Sequence, residues 1–402
     1  MTPRSFAMVT TFYPPESFGG DGIYIQRLSH ALIARGHRVS VIASHDAYRA
    51  TGGRPVRVDH DPAGPRVTRL ASRWGVLSPL ATQQTGRPVF QTGAIEAALA
   101  AEDFDVIHFH NISLVGGPGV LLLGDAPVRL YTIHEHWLLC PTHVFWKNRR
   151  QLCDVKTCFT CQLRSGRPPQ LWRYGSLLSD SLARIDLFLA PSRFTLERHR
   201  AEGIDRPMAH LANFVPEANV RARAPDSPRF FYAGRLEASK GPDALLSAAR
   251  TIDAEFRLAG DGPLLAELEA GARGLPNVRL LGRLTPEEVG REIEAASAVI
   301  VPSRCLETFG LTAAEAMMRG VPVVARRLGA LTEIVEESGG GLLFDGDEDL
   351  PGALARIATD PGLAAELGRR GRAAAERSWR EKTHVDAYEG HVERLLAAKG
   401  RA

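Results

Sequence analysis

Short apolar runs ending in glycine-punctuated loops, each followed by a helical pattern, recur along the whole chain. This alternation is what parallel sheets built from strand–helix–strand units require. In the first half the runs Phe6 to Val9, Val39 to Ala43, Val67 to Leu70, Val106 to Phe109, Leu130 to Ile133 and Leu187 to Leu189 read as strands. Between the first two, Ile23, Ile25, Leu28, Leu32 and Ile33 recur at near-helical spacing before an Arg35-Gly36-His37 stop. The stretch Val215 to Pro228, with three prolines among Ala, Asn, Asp and Arg, reads as a linker. A second series follows: Phe230 to Ala233, Phe256 to Ala259, Val278 to Leu281, Ala298 to Val301, Val321 to Ala325 and Gly341 to Phe344 as strands, with Ala244 to Arg250 and Leu311 to Arg319 among the helices. A last helix, roughly Arg380 to Lys399, exceeds what the second sheet needs and is expected to cross back and brace the first half.

At 402 residues the chain is longer than one hydrophobic core usually serves. The expected division is therefore 1–214, 215–378 and a closing helix over 379–402. A formal charge of +3 gives no global reason to expect nucleic acid as a partner. Locally, Cys140 to Arg200 carries eleven Lys/Arg against four Asp/Glu, a solvated face or a surface for anionic lipid or phosphate. No apolar stretch approaches the length of a bilayer span, and the amino terminus lacks a charged segment followed by an apolar one, so a cytoplasmic location is expected.

Two segments carry the chemistry. In the block from Val301 to Met317 a strand ends at Pro302, a tight loop carries Glu307, and a helix opening near Gly310 or Leu311 carries Glu315. Both carboxylates can then face the crevice at the carboxyl ends of parallel strands, where open α/β sheets bind ligands, and their oxygens can accept from sugar and ribose hydroxyls. The N–H groups of Phe309, Gly310 and Leu311, at a helix amino end, suit a diphosphate. The second segment runs from Ala233 to Gly241 and places Arg235 and Lys240 on one loop, able to neutralise charge on a leaving diphosphate. On the other half, Phe18-Gly19-Gly20-Asp21-Gly22 follows the first strand, and Gly19 and Gly20 would let the backbone approach a phosphate. His134, in Ile133-His134-Glu135-His136, again stands at a strand end, and His110-Asn111 is a further candidate for lining the acceptor cleft.

These segments resemble glycosyltransferase family 4, whose hallmark is two Glu separated by seven residues, as Glu307 and Glu315 are. The similarity also takes in Tyr13-Pro14-Pro15 followed by Gly19-Gly20, Arg35-Gly36-His37, Arg235 with Lys240, and Gly260-Asp261-Gly262-Pro263. It implies a GT-B fold, two Rossmann-like domains with parallel sheets facing an interdomain cleft. It further implies a retaining transfer from a UDP- or GDP-sugar to a hydroxyl acceptor, in polysaccharide, glycolipid or natural-product synthesis. Glu307 would then contact the donor sugar, Glu315 the ribose, Arg235 and Lys240 the diphosphate, and His134 would lie near the transferred sugar. Near the carboxyl end of the donor site, where the family often has Gly-Gly-x-Pro-Glu, this chain reads Gly329-Ala330-Leu331-Thr332-Glu333, a less permissive turn, so the resemblance carries Glu333 over to the donor site only weakly. No catalytic metal is expected at the diphosphate. A non-catalytic nucleotide-sugar-binding protein and a sucrose-phosphate-synthase-like transferase are the alternatives.

Cys140, Cys153, Cys158 and Cys161 fall within an insertion of about 138–172 after the His134 strand, with Cys-x12-Cys-x4-Cys-x2-Cys spacing. Four soft ligands could close a tetrahedral structural zinc site; reduced thiols or disulfides and an iron–sulfur cluster are the other readings. Cys305 is expected to be a packing residue. The insertion reads as an acceptor-side lid whose Trp137, Phe145, Trp146 and Trp172 could rest on a membrane and meet a lipid-linked acceptor, or cradle a soluble one.

Overall fold

The computed structural model describes residues 2–58, 61–218 and 227–401. Part of the expected linker, 219–226, lies outside the described residues. In chain order the first half contains β1 (Ser5–Val9), β2 (Arg38–Ser44), β3 (Arg66–Leu70), β4 (Val106–Phe109), β5 (Val128–Thr132), β6 (Trp146–Lys147), β7 (Gln151–Leu152), β8 (Leu187–Ala190) and β9 (Met208–His210). The second contains β10 (Arg229–Ala233), β11 (Glu255–Ala259), β12 (Val278–Gly282), β13 (Ala298–Val301), β14 (Val323–Arg326) and β15 (Gly341–Phe344).

Seven strands pair in the order β3-β2-β1-β4-β5-β8-β9 and six in the order β12-β11-β10-β13-β14-β15. All pairings within these two sheets are parallel. This is the GT-B architecture. In each sheet the strand order reverses beside one central strand, β1 in the first and β10 in the second. The crevice above such a switch point is where an open parallel sheet receives its ligand.

The period of two explains why the run Phe6 to Val9 of β1 is apolar throughout. Phe6 and Met8 enter one core with Val39, Val41 and the helix Gly20–Ala34, while Ala7 and Val9 enter the other with Ile42, Ile107 and Phe109. A sheet covered by helices on both faces has no solvent side to mark with polar residues. β9, rich in neither β-branched nor aromatic residues, gave no strand signal of its own and forms by adding to the edge at β8.

The last helix, Glu381–Ala398, crosses back as expected. Val385, Tyr388, Val392 and Leu396 are fully buried in the core of the first half beside Phe6, Met8 and Leu28. Burial of such side chains is worth about 1.5–3 kcal/mol each. The rim is closed by Arg35 with Glu389 at 2.8 Å, His37 with Glu389 at 3.1 Å and Arg4 with Glu393 at 2.9 Å.

Candidate functional site

The loops after β10 and β13 are locked together through their backbones. Arg304 and Cys305 donate their N–H groups to the Ser239 carbonyl at 2.8 and 3.2 Å. Gly241 holds a left-handed φ of 66° so close to Pro302 that a Cβ would lie 2.5 Å from the Pro302 carbonyl oxygen. Only glycine fits there. This contact brings together two residues 67 positions apart: the Lys240 ammonium donates to Glu307 Oε1 at 2.6 Å. Ser303 donates its hydroxyl to the same oxygen at 2.6 Å. Burial pushes the Glu307 carboxyl up, but the Lys240 charge and the bonds from Lys240 and Ser303 outweigh it and hold the pKa below the ordinary carboxylate value. Lys240 is opposed by burial and carried above its ordinary value chiefly by Glu307. The pair is therefore fully ionised at neutral pH.

Arg235 does not join this pair. Its side chain is 62% exposed and lies 3.5 Å from Glu237. Glu315, expected beside Glu307, is instead met from the other half by Arg27 of the helix Gly20–Ala34, at 3.1 Å. The helix carrying Glu315, Leu311–Met318, opens on Gly310 at φ 107°, a conformation that requires glycine. Gly20 abuts its first residue, a Cβ on Gly20 lying 2.6 Å from Leu311 Cδ1. Of the expected phosphate cradle, Gly20 and Leu311 thus meet across the crevice, whereas Gly19 lies against Asp21, Gly310 against Leu331, and Phe309 is buried in the core of the second half beside Trp379.

His134 stands after β5 on the opposite wall. Thr308 donates its hydroxyl to the His134 carbonyl at 2.8 Å, which ties the Glu307 loop to the acceptor side. The His134 ring shares a hydrogen bond with His110 at 3.0 Å and lies 4.9 Å from the Tyr24 ring. Burial, with His384 nearby, depresses His134 to about 3, so its imidazole is neutral and can exchange hydrogen bonds with a hydroxyl but carries no charge. Asn111 donates to Asp21 at 3.1 Å, and Glu135 pairs with His143 at 2.8 Å. Burial and the Glu135 charge raise the Asp21 carboxyl above its ordinary range.

Several expectations are corrected. Glu333 is not free for a ligand: its carboxylate accepts from the N–H groups of Arg193 and Phe194, at 2.9 and 2.7 Å, and so caps the helix Arg193–Ala201 of the other half. The four cysteines do line one small cavity, but the zinc expectation finds no support. Among the described residues no group of three or more His, Cys, Asp or Glu is placed to hold a metal ion, and all four are free thiols. Their sulfurs are engaged locally: Cys140 with the Thr142 hydroxyl at 3.3 Å, Cys161 accepting from the Asn148 N–H at 3.3 Å, and Cys153 donating to the Val155 carbonyl at 3.7 Å. Trp137 and Phe145, offered for a membrane surface, are 1% exposed and pack inward. Arg173 lies 4.8 Å over the Trp137 ring and 4.6 Å over the Trp172 ring, so that cation belongs to the insertion's packing. Val144 accepts from the Leu306 N–H at 3.3 Å, and Phe145 packs on Leu306, so the insertion rests on the Glu307 loop as well as on the acceptor side. Cys305 is fully buried and its thiol is pushed up to about 12 by burial, in keeping with packing.

Asp-x-Asp triplets, which could carry a divalent cation against a diphosphate, do occur in the sequence. Asp105 accepts from the Ser5 N–H at 2.8 Å, and Asp347 is engaged by Arg304 at 2.6 Å and by Arg326. Arg27 and Thr308 escaped sequence reasoning because each acts through a contact between distant segments that no local spacing encodes, while Ser303 acts on Glu307 four residues along the same loop, where a serine hydroxyl carries no distinctive sequence signal.

Residues 18–218 match the family described as Glycosyltransferase Family 4, and residues 216–374 match Glycosyl transferases group 1. A D-inositol 3-phosphate glycosyltransferase of Xylanimonas cellulosilytica is 30% identical over 90% of this chain and 89% of its own length. Among solved structures, sucrose-phosphate synthase of Thermosynechococcus elongatus superposes with a TM-score of 0.77 at 22% identity, covering 98% of this chain and 100% of that one. Anabaena HepE in complex with UDP-glucose superposes with a TM-score of 0.67 at 16% identity, covering 98% and 100%. The relationship to both structures is one of fold.

Proposed function

This chain belongs to glycosyltransferase family 4, and from that premise we propose that it transfers a glycosyl group from a nucleoside-diphosphate sugar to a hydroxyl acceptor with retention of anomeric configuration. The observation that carries the reading is the Lys240–Glu307 pair held by Ser303 at the switch point of the second sheet, on a loop that Thr308 ties to the His134 carbonyl. Lys240 supplies fixed positive charge where a departing diphosphate gains negative charge, and preorganised charge of this kind is commonly the largest catalytic contribution. Arg235, exposed and held by Glu237 at 3.5 Å, would swing onto the same phosphates. Glu307 keeps one oxygen for Lys240 and Ser303 and has the other for sugar hydroxyls. In the proposed step the acceptor oxygen bonds to the anomeric carbon on the face from which the diphosphate leaves. The carbon–oxygen bond to phosphate breaks with its electron pair on the phosphate, which takes the hydroxyl proton.

Residues 1–214 would bind the acceptor and 215–378 the donor. UDP-glucose bound to HepE, in a fold shared with this chain, supports a nucleotide-sugar donor. Thermal stabilisation by UDP, GDP and ADP, followed by transfer assays with the matching sugar nucleotides and NMR of the product linkage, tests the reading. One nucleoside diphosphate is expected to raise Tm in proportion to occupancy. Absence of stabilisation by all three, or an inverted product, overturns it.

A further inference from the structure

Arg27 reaches across the cleft from the helix Gly20–Ala34, and both of its terminal nitrogens go to one oxygen: Nη1 at 3.2 Å and Nη2 at 3.1 Å from Glu315 Oε1. Among the described residues no side chain bonds Glu315 Oε2. A carboxylate has lone pairs on both oxygens, so the cross-cleft pair fixes the rotamer and leaves one oxygen fully able to accept. Each side chain is 22% exposed, sheltered enough for the pair to hold against solvent yet open to a ligand. The same two helices also meet where Gly20 abuts Leu311, with no room for a Cβ on Gly20. Arg319 donates to the Glu315 backbone carbonyl at 3.1 Å and pairs with Glu294 at 3.5 Å, so its charge is directed elsewhere.

We propose that Arg27 is a positioning residue that makes recognition of the donor's ribose depend on closure of the cleft. Glu315 accepts the ribose hydroxyls through Oε2 only while Arg27, belonging to the opposite half, holds Oε1. Ribose binding and closure therefore strengthen each other by the same factor, as linkage requires. The inference rests on the proposed function, because it presupposes a nucleotide donor.

The test compares the nucleoside diphosphate that binds wild-type protein with its 2′,3′-dideoxy analogue, by titration calorimetry at fixed low salt. Wild type is expected to prefer the ribonucleotide. Arg27→Ala is expected to weaken the ribonucleotide about tenfold, the scale of a charge-assisted bond, and the dideoxy analogue less than about twofold. Arg27→Lys, which keeps the charge and loses the two-nitrogen fork, should fall between. Adding Arg27→Ala to Glu315→Gln should cost little beyond Glu315→Gln alone. A purely structural role would weaken both nucleotides equally in Arg27→Ala, and that result overturns the inference, as does no effect on either. If wild type binds no nucleoside diphosphate, the functional reading and this inference fall together. If wild type discriminates and Arg27→Ala discriminates equally well, only this inference falls.

Discussion

The Thr308 hydroxyl and the His134 carbonyl, 174 positions apart in sequence, are joined at 2.8 Å across the cleft. The Thr308 carbonyl in turn accepts from Ser192 at 2.7 Å and Thr195 at 3.1 Å. The loop that carries Glu307 is thus anchored on the wall that carries His134, and the distance between the two groups is set by three hydrogen bonds.

Thr308→Val keeps the shape of this link and removes its donor. The net loss is about 0.5–1.5 kcal/mol for one such bond. We expect a small change in Tm and a several-fold fall in kcat, with His134→Ala falling further. Steady-state kinetics of the two variants checks this, and an unchanged kcat in Thr308→Val would show that the link does not set the geometry.

Lys240→Ala should lower kcat by about 10²–10³, the usual effect of deleting one preorganised charge. It should also move a pH profile. With the ammonium gone, burial is no longer outweighed and the Glu307 pKa rises, so the acidic limb of activity should shift to higher pH. An unshifted limb would mean that the ionisation of Glu307 does not govern it.

Glu333→Ala is expected to act on stability more than on nucleotide affinity. Loss of a capping side chain costs about 1 kcal/mol, here at a helix of the opposite half. Denaturant unfolding and nucleotide titration separate the two effects. A large loss of affinity with unchanged stability would restore Glu333 as a ligand.

Stability should fall as pH drops below about 6.5, before carboxylates titrate. Burial depresses His134 and His136 to about 3 and His199 and His384 to about 4. The unfolded chain binds these protons below about 6.5 while the folded chain refuses them until pH 3–4, so the contribution is complete above the unfolded pKa and lost as pH falls towards the folded one. We expect a level Tm above pH 7 and a clear decline from pH 6.5 to 5, with more than one proton taken up on unfolding. A level Tm down to pH 5 would contradict the burial of these rings in neutral form.

Strands with β-branched or aromatic runs, such as Val106–Phe109 and Ala298–Val301, were legible to the residue because they are buried on both faces and nearly every position is apolar, His108 being the exception. The edge strand β9 and the two-residue pair β6–β7 were not, since their formation depends on a neighbour already in place. The same division runs through the site. Gly310 and Gly241 betray themselves locally, because a backbone turn permits no other residue. Glu333 misled, because a carboxylate reads the same in a chain whether it meets a ligand or caps a distant helix.

By itself the sequence determined the two parallel sheets, the returning helix and the strand ends at which Lys240, Glu307 and His134 stand. Those follow from periodicity and turn chemistry, which act over a few residues. Only the tertiary structure decided that Lys240 holds Glu307, that Arg27 holds Glu315 and that Cys140, Cys153 and Cys161 each take a polar partner of their own. These are contacts between segments tens to hundreds of residues apart, and their energies exist only once the cores beneath them have set the distances.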